Sequence, residues 1–240
     1  MFPYDPALLE AVSTPPQSIA DVLEIMEAIE AACEDGDGLK WFNGLYLSVT
    51  QAIEARVDSD DFGDPAWIGA LDVQFARIYF AAVQSALSGA AAPGCWQALF
   101  DVRNQTQIAR IQFAIAGMNA HIDHDLALAI VACCEAAGID PVHGTTQYND
   151  YTAVNTTLDR LIESAKQTLH VRLLGEQLPA VSHLDDTIAA WSVADAREAA
   201  WNNAELFWHL ADAPVLRVAF MDNLDGLTSV VSKALLVAAP

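Results

Sequence analysis

The run Ile111-Gln-Phe-Ala-Ile-Ala-Gly-Met-Asn-Ala-His-Ile122 carries no fixed charge over twelve consecutive residues. A helix that is apolar on every side belongs in the middle of its domain. Ile108, Ile111, Ile115, Met118 and Ile122 recur at steps of three and four, which predicts a helix near Thr106–Ile122 with a continuous packing seam. Gln112, Asn119 and Asp123 fall on another face, and His121 lies one turn after Gly117, whose missing side chain leaves room for a ligand or a second helix. Buried amides and an imidazole need hydrogen-bond partners, so other helices must bring polar groups to this one.

Working outward, the flanking sequence is punctuated as helices throughout. Ser18 with Asp21 three residues on forms a capping box ahead of the stripe Ile19, Val22, Leu23, Met26 and Ile29. A second helix is predicted over Leu39–Arg56, and Asp64-Pro65 is a strong start for a third that ends at Ser88 before Gly89. A short helix near Trp96–Val102 precedes the charge-free one. Asp125 is expected to cap a helix ending near Gly138. Helices near Tyr148–Leu174, Ser192–Ala211 and Pro214–Val237 follow, with a short one at Asp185–Trp191. No sustained apolar–polar alternation bounded by hairpin turns occurs. The expected architecture is all-α: residues 1–17, with four prolines, as an extended arm, and residues 18–240 as one bundle of about eight to ten helices around a buried central helix.

Composition narrows the function classes. Eleven Lys plus Arg against 32 Asp plus Glu give a formal charge of -21, a field that disfavours nucleic acid and anionic membrane surfaces as partners. The longest uncharged run, Ile78–Phe100, is broken by Gly89, Pro93 and Gly94, unlike a bilayer span. Cys33, Cys95, Cys133 and Cys134 show no CxxC or zinc spacing and read as small apolar residues of a reducing cytoplasm. The acidic loop Asp58–Asp64 lacks the calcium ligands of an EF-hand, since Phe62 and Gly69 occupy positions five and twelve. There is no Walker or Rossmann glycine motif, no HExxH, no GxSxG and no paired ExxH.

Chemistry-bearing residues on inward faces remain. Asp72 shares the stripe Ile68, Asp72, Phe75, Tyr79, where a lone carboxylate needs a cation, a metal or several donors; a buried ion pair with an arginine would serve as well. Glu198, Asn202, Glu205 and His209 follow at steps of four, three and four beside Trp201 and Trp208. Glu205 and His209 can share a metal ion or act as an oriented base, or the acids can simply be solvated. Asn43, Tyr46 and Thr50 form a smaller polar stripe, while Gln112 and Asn119 read more readily as hydrogen-bonding links between helices than as substrate contacts. His143, His170 and His183 read as structural or solvated. His124-Asp125 matches the HD dyad of metal phosphohydrolases, but the other members of that pattern cannot be assigned.

The segments Gly38-Leu-Lys-Trp-Phe-Asn43, Leu71-Asp-Val-Gln-Phe-Ala-Arg-Ile-Tyr-Phe80, Ile111–Ile122 and Ala196-Arg-Glu-Ala-Ala-Trp201 resemble a bacterial family of helical proteins, domain-of-unknown-function family 5995. The resemblance implies a shared helical fold and brings no established activity. The family pattern has a proline two residues after its Asp-Leu pair, where this chain has Ala127-Leu128 after Leu126. Three readings of function stand, the first favoured slightly over the second and an enzyme over a binding module. One is a hydrolase holding a divalent metal ion among His121, Asp72, Glu205 and His209, with Asn43, Tyr46, Gln112, Asn119, Asn202, Trp201 and Trp208 around a small-molecule substrate. Another is a metal-free isomerase, cyclase or lyase for an apolar metabolite, with the same histidines and acids as proton carriers. The third is a non-catalytic binding protein for a small ligand. The expected core of the site is the convergence of His121, Asp72 and the Glu205/His209 pair on one cavity.

Overall fold

A computed structural model describes residues 2–59, 61–164 and 192–237. Among these residues the secondary structure is helical and contains no strand. The order is α1 (Asp5–Ala11), α2 (Ile19–Ala32), α3 (Gly38–Asp58), α4 (Pro65–Ser88), α5 (Gly94–Phe100) and α6 (Arg110–Ala120), then a π-helical turn (His121–Asp125) and α7 (Leu126–Ala137). After α8 (Thr146–Ala153) comes a helical stretch over 155–164, and then α9 (Val193–His209) and α10 (Pro214–Leu235). His170, His183 and the short helix expected at 185–191 lie outside the described residues.

Local chemistry sets the ends. Ser18 accepts from Asp21 N, and the Asp21 carboxylate accepts from Ser18 N, completing the expected capping box. Asp64 accepts from Trp67 N with Pro65 in the first turn, and Gly89 ends α4 in the left-handed region at φ 78°. The N-terminal arm differs from expectation: Pro6 opens the two-turn α1, which buries Leu8 and Val12. Arg103 holds this region by bonding both Asp5 (2.8 Å) and Asp37, a buried charge triad that ties α1 to the α2–α3 loop.

Every residue of α6 from Ile111 to Ala120 is buried, so the charge-free helix is the centre of the bundle. It lies between α3 and α10. Gly117 permits the approach of α3, since a Cβ there would stand 2.4 Å from the Phe42 ring; a helix, not a ligand, uses that space. Gln112 accepts from Ala109 N (2.8 Å) and donates to the carbonyls of Leu235 (2.7 Å) and Val237 (2.8 Å), capping the end of α10. Asn119 donates to Thr228 O and Ser232 Oγ. The amides of the central helix therefore lace it to α10. Helix α4 is long and apolar enough to span a membrane, but 56% of that window is buried inside the bundle, as in a core helix.

Candidate active site

The central helix does not stop before Asp125. His121–Asp125 forms a π turn, with Leu126 N–H donating to His121 O five residues back, and the chain runs directly into α7. Asp125 is not the expected N-cap: it has helical φ and ψ, and its side chain is taken by tertiary donors. Oδ2 accepts from Trp96 Nε1 (2.8 Å) and His121 Nδ1 (3.0 Å), and Oδ1 faces His124 Nδ1 at 2.7 Å. Asp125 is fully buried. Burial alone would raise its pKa, but the hydrogen bonds from His121 and His124 overrule it and hold the carboxyl below its ordinary range. Asp125 is therefore an anion.

That anion fixes the tautomer of His121. Nδ1 carries the proton given to Asp125, which leaves the Nε2 lone pair free; Nε2 is buried and has no hydrogen-bond partner. Burial pushes the His121 pKa down, and although Asp125 opposes it, the net direction is toward the neutral ring. The imidazole lies flat against Phe75, with centroids 3.4 Å apart and planes 4° apart, and Tyr46, Phe42, Tyr79 and Trp96 surround it. His124 behaves oppositely. Burial lowers its pKa, but its contact with Asp125 and the charges of Asp125 and Asp225 raise it beyond its ordinary value.

His121 opens onto a cavity of about 80 Å³ between α3, α4, the π turn, the 155–164 stretch and α9. Its walls are mainly apolar, among them Leu45, Ile68, Leu71, Met118, Leu158 and Val193. The polar exceptions among the described residues are Tyr46, Asp72, His121 and Arg197. Asp72 is 8% exposed, and its Oδ2 has no partner. No arginine pairs with it among the described residues; burial, helped by the charge of Glu54, pushes its pKa up to about 7. Burial, followed by the charges of Asp72 and Asp125, keeps Tyr46 protonated against the opposing effect of the Thr50 hydroxyl beside it. Arg197 is committed to neutral groups, Asn155 Oδ1 (2.6 Å) and Tyr151 O (2.8 Å).

Two members of the expected constellation, His121 and Asp72, thus share one cavity, and Tyr46 joins them. Glu205 and His209 do not line it. His209 is exposed, and the partner of Glu205 is His143, whose Nδ1 lies 2.6 Å from it while Nε2 lies 3.0 Å from Glu198. Tyr148 Oη donates to Glu198 (2.8 Å), and Trp201 packs behind this group, so the face of α9 that carries Glu198, Trp201 and Glu205 meets His143 and Tyr148 rather than the cavity. His143 is held in an ion-pair cluster rather than being merely solvated. Asn202 is exposed, and Trp208 is half-buried against the core. Asn43, Gln112 and Asn119 spend their amides on Met26 O and on α10. None of these residues lines the cavity, so the four-residue ligand set expected for one metal ion is not assembled.

The residues missed by sequence reasoning are Asp125 as the orienting acid, Phe75 as the stacking face and Arg197 on the cavity wall. Asp125 left one signal, its position four residues after His121 in a buried helix.

With the geometry in place, the comparisons are brief. A family of unknown function, DUF5995, matches residues 19–238, almost the whole chain. The chain belongs to that family. No curated protein and no solved structure matches it.

Proposed function

We propose that this DUF5995 member is an enzyme that moves protons on a small, largely apolar metabolite, as an isomerase, cyclase or lyase does. The observation that carries the reading is the state of His121: Nδ1 tied to a buried aspartate, Nε2 buried and unpartnered, on a residue that lines the cavity. An unpaired buried acceptor costs about 1–3 kcal/mol, and a site that retains one has a use for it when substrate enters. His121 Nε2 is the general base, Asp125 its orienting partner, and Asp72 the acid that returns the proton. A carboxyl titrating at about 7 is matched to that work near neutral pH. Tyr46 supplies a neutral hydrogen-bond donor toward developing negative charge. The cavity volume of about 80 Å³ admits a small reacting fragment.

This reading displaces the metal-assisted hydrolase on the chemistry of the donors. Of the residue types that bind divalent metals best, the cavity offers one imidazole and one carboxylate among the described residues, short of the three protein ligands of a catalytic zinc. The acidic surface and the reduced cysteines fit work in the cytoplasm on an uncharged or weakly charged compound.

The test is hydrogen–deuterium exchange. A panel of small carbon acids, including ketones, enones and carboxylic esters, is incubated in D2O with wild-type protein and with His121→Gln and Asp72→Asn, and exchange or conversion is followed by NMR. Catalysed exchange on at least one compound, lost in His121→Gln while circular dichroism stays helical, is the expected result. Activity that survives His121→Gln, or a metal whose retention requires Asp72 and His121, would overturn the reading.

A further inference from the structure

Outside the lining of the cavity, a second group of ligating atoms comes together from three parts of the chain. Cys95 of α5, His124 of the π turn and Asp225 of α10 each place one ligand atom within 4.8 Å of the others. Cys95 is fully buried and His124 is 5% exposed. His124 Nδ1 is committed to the Asp125 carboxylate, so Nε2 is the nitrogen with a lone pair to give, and it has no hydrogen-bond partner among the described residues. A carboxylate on the far nitrogen is the arrangement that orients a metal-bound histidine and makes it more basic. Asp225 is set in place independently, because its two oxygens accept Gly94 N (2.8 Å) and Cys95 N (2.9 Å). Gly94 leaves that approach open, since a Cβ there would lie 3.0 Å from Asp225 Oδ2.

We propose that Cys95, His124 and Asp225 bind a borderline-soft divalent cation of the zinc type. Sulfur, imidazole and carboxylate together select such an ion over magnesium or calcium. Tetrahedral bonds of the usual lengths put S, N and O about 3.3–3.6 Å apart, so atoms already within 4.8 Å of one another need close in by no more than about 1.5 Å, within the reach of side-chain rotation. The ion joins α5, the π turn and α10. It grips the histidine that shares Asp125 with His121, and in that way stiffens the support of the cavity base without entering the cavity. The site stands apart from the proton-transfer reading, because none of its three residues lines the cavity.

Cobalt(II) is the probe, since a cobalt–thiolate bond gives an intense charge-transfer absorption that oxygen-only sites on an acidic surface do not. Full-length apoprotein is titrated with Co²⁺ and then with Zn²⁺ as competitor, alongside Cys95→Ser and Asp225→Asn. The expected result is one equivalent of Co²⁺ with a thiolate band that Zn²⁺ bleaches. The band should be absent in Cys95→Ser and at least tenfold weaker in affinity in Asp225→Asn. Zn²⁺ should raise the Tm of wild type and leave that of Cys95→Ser unchanged. Because the wild-type titration needs no variant, a missing band overturns the proposal even if a substitution impairs folding, and so does a band that survives Cys95→Ser.

Discussion

Replacing Asp72 with asparagine tests whether the cavity carboxyl is held in its neutral form. The native pKa of about 7 stands roughly three units above the ordinary 3.8, and burial is the main cause. The sign follows from proton binding. Between the two values the folded protein keeps a proton on Asp72 that the unfolded chain has lost, so stability falls as pH rises from about 4 to about 7 and levels off above that. At 1.36 kcal/mol per unit, the loss attributable to Asp72 between about pH 4.5 and pH 8 is about 3 kcal/mol. The asparagine side chain has nearly the same shape and does not titrate. Its unpaired amide adds a constant offset that cancels when the two pH values are compared. Glu54 on α3, Tyr46, His121 and Arg197 are the titratable and charged groups around the site among the described residues, and they remain in both proteins. Urea unfolding at both pH values should therefore show Asp72→Asn gaining about 3 kcal/mol on wild type from the lower pH to the higher. A difference that stays flat within about 0.5 kcal/mol would mean that Asp72 is ionised normally in the folded protein, and its role as a proton-returning acid would fall with that result.

Other perturbations reach the supports of the site. Arg103→Met strips the counter-charge from the buried carboxylates of Asp5 and Asp37 and should destabilise the protein by about 3–5 kcal/mol in denaturant unfolding. Gly117→Ala forces a Cβ against Phe42 and should cost about 1–3 kcal/mol, visible as a lowered Tm. Trp96→Phe keeps most of the packing and removes one donor from Asp125; a loss of about 1.5–3 kcal/mol is expected, with the indole N–H signal of Trp96 assigned by its disappearance from the NMR spectrum.

The fold is legible because its signals are local and agree with one another. Ser18 with Asp21, Asp64-Pro65 and Gly89 each mark a helix end by chemistry within four residues, and the uncharged run at 111–122 names the helix that must be central. At α1 the density of prolines obscures a helix start in which Tyr4 stands at the cap without a side-chain bond and Pro6 lies in the first turn. The site is half legible. Periodicity tells which residues share a face, and for Asp72 and His121 the hydrophobic stripe also tells which way that face looks. For Glu198, Glu205 and His209 the shared face is real, but its partner is a histidine 62 residues away from Glu205, and no spacing encodes that. Asp125 has the sequence signature of a cap because aspartate before an apolar helix usually is one; three donors from outside its local backbone decide otherwise.

Much converges on one short stretch at the π turn. In an unbroken α-helix, residues four apart share a face, while adjacent residues point about 100° apart. His121 would then lie about 40° from Asp125 and about 60° from His124, next to both, while His124 and Asp125 would point about 100° apart. Closing the turn with a bond from Leu126 to His121, five residues back, widens the backbone by one residue. The wider turn is compatible with Asp125 receiving His121 on one oxygen and His124 on the other, with Trp96 completing the set. Such a turn gives up regular helical hydrogen bonding in the most buried helix of the molecule, where lost bonds are costly. What the turn supplies is one anion shared by two histidines of opposite protonation tendency, one facing the cavity and the other facing Cys95 and Asp225. Purely structural packing would need neither the anion nor the two imidazoles, and that imbalance supports placing the proposed chemistry at His121–Asp125.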